Sequence, residues 1–213
     1  MLISFSGIDS SGKTTQIKKL EEYCKFEHIR YIRLWGKARG TPGVLLLKKI
    51  VRRDRHMNST QKKEYRASVY DNENKKKLLL IASLVDLCWY FGIYYRIVGA
   101  FYKVTVLDRY IWDTFIEVKT EFNGINFENW ILWKMVLKLS PKPIKSFIFV
   151  IPPEESIRRD IQKNESSIDT LEMKKQKINL YHQLINEGKW DYVIDGMKTV
   201  DSIHEQVKNI LEI

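Results

Sequence analysis

Short apolar runs alternate with amphipathic stretches along the chain, a pattern that predicts strand then helix, several times over. Leu2–Ser6 is a brief apolar run followed by glycine, fit for a buried parallel strand. Lys13–Phe26 then places Ile17, Leu20 and Cys24 at helical spacing. Ile29–Trp35, "IRYIRLW", is β-branched and aromatic and reads as a second strand. From Gly36 to Asn74 the chain turns polar and basic, which suits loop and exposed helix. A long helix of roughly Asn74–Val98 feeds a third strand, Lys103–Leu107, that closes on "DRY". Phe127–Leu139 reads as a helix stopped by Ser140-Pro141. Ser146–Ile151 is a fourth strand, and Pro153 suits the first turn of the helix after it, with Glu154 and Glu155 near the positive end. Trp190–Ile194 is a fifth strand. Thr199 or Asp201 can cap a last helix that repeats Val200, Ile203, Val207 and Ile210 on one stripe. Strands separated by helical segments of this length imply a parallel sheet covered on both faces, in one α/β domain spanning residues 1–213.

Composition narrows the partners. The chain has 213 residues, 44% hydrophobic and 29% charged, as an ordinary globular domain does. A net charge of +10 suggests an anionic ligand. No zinc-finger spacing or RNP-like aromatic motif accompanies it, so nucleic acid is not the expected partner. Cys24 and Cys88 lie far apart in apolar surroundings, as reduced thiols of a cytoplasmic protein would. The four histidines show no metal-ligand spacing. Gly7 and Asp9 interrupt the N-terminal apolar run, so no signal peptide is read there. Leu78–Tyr102 is long and apolar, but Asp86 and Arg96 interrupt it, and a core helix of a soluble protein is expected rather than a membrane span.

The chemistry is concentrated in "ISFSGIDSSGKTTQ", where Gly7-x-x-x-x-Gly12-Lys13-Thr14 has the spacing of a phosphate-binding loop. A strand before it and a helix after it supply the required context. Gly7, Asp9, Ser10, Ser11, Gly12, Lys13, Thr14 and Thr15 are the expected nucleotide-binding residues, Lys13 on the β/γ-phosphates and Thr14 on Mg²⁺. "VTVLDRY" provides Asp108 at a strand end as a second metal-side group, then Arg109, whose planar fork suits a phosphate. A GTPase would want Asn-Lys-x-Asp; here Asn74-Lys75-Lys76 is followed by Lys77.

"FSGIDSSGKTTQ" and "VLDRY", with their separation, resemble the thymidylate kinases, as do "FVIPPEESIRRD" and "YVIDGMKTVDSIHEQV" near the C-terminus. The resemblance implies a three-layer P-loop fold with a five-stranded parallel sheet and a short lid near residues 158–177. It also implies ATP as donor, Mg²⁺, and a nucleoside monophosphate as acceptor. Arg109, Tyr110 and Asp113 then face the acceptor and Asp9 the acceptor or the metal shell, joined by Lys37 and Arg39 from "GKARG". Because the loop has Ser10-Ser11 in place of an arginine, the catalytic cation is sought in the lid, first at Arg158 and Arg159 with Lys163, and beyond them Lys174, Lys175 and Lys177. "IWDTFIE" after the DRY departs from the family's small, polar-lined run, so the donor half is intact and the acceptor half rewritten. Two other readings stay open: a same-fold kinase of a non-nucleotide acceptor, and a nucleotide-binding module without transfer. Family members commonly pair helices into dimers, and the aromatic helix around Trp89–Tyr95 is a candidate homodimer face.

Overall fold

The structure, a computed structural model, describes residues 1–36, 73–163 and 170–212. The expected loop and exposed helix between Gly36 and Asn74, with Lys37 and Arg39, therefore fall almost wholly outside the described residues. So does part of the expected lid. The chain divides into two compact units. The first comprises Met1–Gly36, Val98–Thr120 and Lys142–Ile213, and the second Lys37–Ile97 and Glu121–Pro141.

The strands are β1 (Leu2–Gly7), β2 (Tyr31–Trp35), β3 (Val104–Asp108), β4 (Lys145–Val150) and β5 (Tyr192–Asp195). The helices of the described residues are α1 (Lys13–Phe26), α2 (Glu73–Trp89), α3 (Tyr95–Ala100), α4 (Ile111–Glu121), α5 (Ile131–Leu139), α6 (Pro153–Gln162), α7 (Leu171–Asn186) and α8 (Val200–Leu211). All five strands lie in the first unit and pair in parallel in the order β2-β3-β1-β4-β5. This bears out the expected sheet.

Side-chain alternation splits the core in two. Ile3, Phe5, Val104, Val106, Phe147, Phe149 and Ile194 meet Ile17, Leu20 and Cys24 of α1 and Ile203, Val207 and Leu211 of α8. In the second core cluster Ile148 joins Ile116 of α4 and Ile178, Tyr181 and Leu184 of α7. Helices therefore cover both faces, giving three layers. Thr199 is the residue that caps α8, accepting from the Ser202 N–H at 3.3 Å, while Asp201 pairs with Lys19 at 2.9 Å. Leu211 is buried on that stripe with Ile203 and Val207, while Ile210 is half-buried and Val200 is exposed. Helix α4 is one the sequence pattern did not announce. Its buried residues include the polar Asp113 and Thr114 beside Ile111, Ile116 and Val118, so the polar pattern does not track burial along it.

The second unit is built on α2, which runs through a π-turn at Tyr90–Tyr94 into α3. The Tyr90 and Tyr94 rings stack there at 4.9 Å. The continuous helix Glu73–Ala100 is long and apolar enough to cross a membrane by length and composition. It nevertheless buries Leu80, Leu84, Leu87, Phe91 and Tyr95, and α2 packs on α5 as a core helix would. The helix expected over Phe127–Leu139 is broken: a 3₁₀ turn at Phe127–Asn129 precedes extended Trp130 and then α5. Both cysteines are free, and burial raises each thiol above its ordinary value.

Candidate active site

The loop between β1 and α1 starts at a position only glycine fits. Gly7 has φ 135°, and a Cβ there would fall 2.4 Å from the Phe149 carbonyl oxygen of β4. Ser10 follows in the left-handed region with φ 58°. The Ser11 N–H donates to the Ile8 carbonyl at 3.3 Å, and α1 begins as the Thr15 and Gln16 N–H groups reach the Gly12 carbonyl. The first-turn amides of a helix have no carbonyl of their own helix to bind, so the start of α1 attracts anions. Thr14 and Thr15 are exposed at that point. Lys13 is 5% exposed, and its Nζ donates to the Ile8 carbonyl at 2.6 Å and Ser11 Oγ at 3.0 Å. Burial, with the Arg109 charge beside it, pushes the amine down to about 7.

Strand β3 delivers the acidic and basic partners of this loop. Asp108 is buried in register with Phe5 and Trp35, and its Oδ2 accepts from Arg33 Nε at 3.1 Å and from Nη2 of the same side chain. Arg109, left-handed at φ 67° and buried, donates from Nη1 to the Gly7 carbonyl at 3.0 Å and from Nη2 to Asp9 Oδ1. Burial by itself would lower the guanidinium, but its neighbours Tyr181, Asp9 and Asp113 more than reverse that and raise it. Asp113 is fully buried. Its Oδ1 accepts from the Gly7 N–H at 3.0 Å and the Tyr181 hydroxyl at 2.6 Å, and its Oδ2 from the Tyr110 N–H at 3.0 Å. Arg109 and Asp113 thus hold the carbonyl and amide of Gly7 from one side. Tyr110 is buried as well, so Asp113 and Tyr110 face the loop and core, where the sequence had suggested the acceptor.

The lid cations separate into distinct roles. Arg158 is exposed and binds Glu155 through two bonds of 2.7 Å. Arg159 also reaches Glu155, at 2.6 Å, and these two arginines hold that carboxyl down to about 2. Arg159 then turns to the loop, donating to the Ser10 carbonyl at 3.3 Å and the Gly196 carbonyl at 3.0 Å. Lys163 donates to Ser10 Oγ at 3.2 Å. Lys174 is fully buried against Asp160 and Ser156. Burial would raise the Asp160 carboxyl, but hydrogen bonds from Lys174 and Ser10 keep it below its ordinary value. Adjacent arginines on a helix point about 100° apart, which is why Arg159 touches the loop and Arg158 does not.

Trp35, the last residue of β2, is 55% exposed. Arg33, Ser156, Asp160, Tyr181 and Gly196 are site residues the sequence reading passed over. Gly196 had a signal: "IDG" after the last strand marks a tight turn, and a Cβ there would lie 2.8 Å from the Ser11 carbonyl oxygen. The others had none: Arg33 is one polar residue in a strand, and a polar residue on an amphipathic helix looks alike whether it faces water or a loop.

Thr14 and Asp108 are oxygen donors, the kind Mg²⁺ takes when it binds one or two carboxylates plus substrate phosphates. The donor set fits that ion. Among the described residues no cluster of three or more His, Cys, Asp or Glu could cage a metal alone.

Residues 5–207 match the protein-family model described as thymidylate kinase. The thymidylate kinase of Caldanaerobacter subterraneus subsp. tengcongensis is 27% identical over 223 residues, covering 99% of this chain and 94% of the relative. That of Thermosipho melanesiensis is 26% identical over 223 residues, covering 100% and 98%. Among solved structures, deoxyadenosine kinase from M. mycoides, with dCMP and a flexible dCDP bound, superposes with a TM-score of 0.61 at 14% identity, covering 100% of this chain and 99% of that one. At that identity the likeness speaks to the fold.

Proposed function

The chain belongs to the thymidylate kinase family, and on that premise we propose that it transfers a phosphoryl group from ATP to a nucleoside monophosphate, dTMP or a related nucleotide, yielding the diphosphate. The loop residues Gly7 to Thr15 hold the ATP phosphates. Thr14 and Asp108 would hold Mg²⁺, which supplies neutralisation of phosphate charge when bound. Lys13 and the two lid cations that touch Ser10, Arg159 and Lys163, face charge on the transferring group, while Arg158 serves to anchor Glu155. Arg109 holds Asp9 toward the acceptor side. The lid, about residues 158–177, belongs to the same single P-loop kinase domain in this reading, and the enzyme works in the cytoplasm.

One observation favours a phosphate acceptor over a hydroxyl. A hydroxyl needs a base, and the two candidate carboxylates, Asp9 and Asp108, are both engaged by arginines. A phosphate acceptor is already anionic and needs only positioning and charge neutralisation. The rewritten "IWDTFIE" run is what keeps a non-nucleotide acceptor as second reading. We expect ADP release from ATP·Mg²⁺ to rise at least tenfold with one member of a panel of nucleoside monophosphates, dTMP included. Stimulation only by other metabolites would select the second reading, and no stimulation by any acceptor would leave a binding module.

The exposed stripe Leu78, Ile81, Val85, Trp89, Ile93 and Ile97 on the long helix suits pairing with a second copy. Light scattering should then return twice the 25.4 kDa chain mass, and Val85→Glu with Trp89→Glu should halve it. A wild-type protein of single-chain mass would end the homodimer proposal.

A further inference from the structure

Lys174 is the one lid lysine with no access to solvent, and its surroundings explain where its charge goes. It sits in the first turn of α7, fully buried, and its Nζ donates to Ser156 Oγ at 2.8 Å and to Asp160 Oδ2. Ser156 and Asp160 are four apart on α6 and so share a face; they are 0% and 3% exposed. From there two bridges reach consecutive residues of the phosphate loop. Ser156 Oγ donates to the Asp9 carbonyl at 2.8 Å, and Asp160 Oδ1 accepts from Ser10 Oγ at 2.6 Å. The second bridge lands on the residue whose left-handed backbone costs on the order of 1–2 kcal/mol and must be held from outside.

Stability alone does not account for such a pair. A buried ion pair replaced whole by apolar side chains is often as stable or more so, because both charges escape desolvation. What apolar side chains cannot do is accept the Ser10 hydroxyl. Ser10 is also where the Lys163 ammonium and the Arg159 guanidinium touch the loop. We propose that Lys174 and Asp160 form a buried ionic strut that fixes Asp9 and Ser10, and through Ser10 sets the position of the two lid cations against the phosphates. They are positioning residues, and the proposal rests on the reading that this loop holds ATP. Lys13 bonds neither Asp9 nor Ser10 but the Ile8 carbonyl and Ser11 Oγ. Loosening the strut therefore spares ATP binding and misplaces the charges, and a misplacement of about 1 Å can cost about 100-fold in rate.

The test is Lys174→Met combined with Asp160→Leu, which removes both charges, keeps the branching at 160 and shortens the side chain at 174 by one atom. We expect a melting temperature near wild type, affinity for a non-hydrolysable ATP·Mg²⁺ analogue within about threefold, and kcat lower by roughly 10–100-fold. Ser10→Ala should reproduce most of that loss, and adding it to the double variant should cost little more, as residues acting in one network do. A double variant with wild-type kcat, or losses that multiply independently, would overturn the strut. If the double variant does not fold, Ser10→Ala decides alone, read at saturating ATP so that its place in the phosphate loop does not enter: wild-type kcat refutes the proposal, and a fall of roughly 10–100-fold supports it. A wild-type protein that binds no ATP analogue would instead remove the nucleotide reading, and the strut's role with it.

Discussion

Lys13→Met is expected to lose phosphoryl transfer by at least roughly 100–1,000-fold, the cost of deleting one preorganised charge-stabilising donor, and to be no less stable than wild type at neutral pH. Both outcomes follow from where the ammonium sits. It lies in the loop, on the Ile8 carbonyl and Ser11 Oγ, nearly shut off from water. Burial and the Arg109 guanidinium take its pKa from 10.5 to about 7. The folded protein therefore resists charging a group that the unfolded chain charges freely. Between about pH 7 and 10.5 the unfolded chain binds more protons, so this lysine's contribution to stability improves as pH rises through that window. Below about 7 both states are protonated and the whole penalty is present. Urea midpoints of wild type and Lys13→Met should diverge as pH falls from 10 toward 7, with the variant the more stable, and the Ile8 carbonyl keeps the Ser11 N–H as its partner. Parallel pH curves would show that Lys13 carries no such penalty. Wild-type turnover in Lys13→Met would remove the mechanism itself. A bound polyphosphate reverses the penalty, which is the sense in which the site is built for its ligand at the expense of the fold.

The parts of this site legible in the sequence are those set by local chemistry. The glycines at 7 and 12, the lysine at 13 and the strand–loop–helix order are a motif because backbone geometry at a phosphate admits few alternatives. "VTVLD" reads as a buried strand with an acid at its end for the same reason. The cations beyond Pro153 were legible as a set but not as individuals: Arg158 and Arg159 differ only in direction, and Lys174 stands in the run "MKKQK", where nothing marks one lysine as buried. Its role exists only once α6 and α7 lie side by side. Asp113 is the instructive case. Its place after the DRY suggested the acceptor, yet in the first turn of α4 it caps the Tyr110 N–H and turns inward. On the helix that carries it, Asp113 and Thr114 are buried together with apolar residues, so its orientation could not be read from the polar pattern.

Asp113→Ala is expected to cost about 3–5 kcal/mol, the range for breaking a buried charged network by removing one member. Three donors lose their acceptor together: the Gly7 and Tyr110 N–H groups and the Tyr181 hydroxyl. Arg109, 3.7 Å away, loses one of its two neighbouring carboxylates and keeps Asp9. Asn at this position can present its oxygen to Gly7 and Tyr181, but its amide then opposes the Tyr110 N–H, donor against donor. Asp113→Asn should therefore cost about 1–3 kcal/mol, the penalty for one buried unmet group. Tyr181→Phe, which deletes a single bond, should cost about 0.5–1.5 kcal/mol. In the Asp113→Ala background the same substitution should cost almost nothing, because the hydroxyl has already lost its partner. Urea unfolding of the four proteins checks the order. An Asp113→Ala protein within about 0.5 kcal/mol of wild type, or a Tyr181→Phe penalty undiminished in its background, would mean that Gly7 is held by the strand and Phe149 alone and that Asp113 is dispensable to the loop.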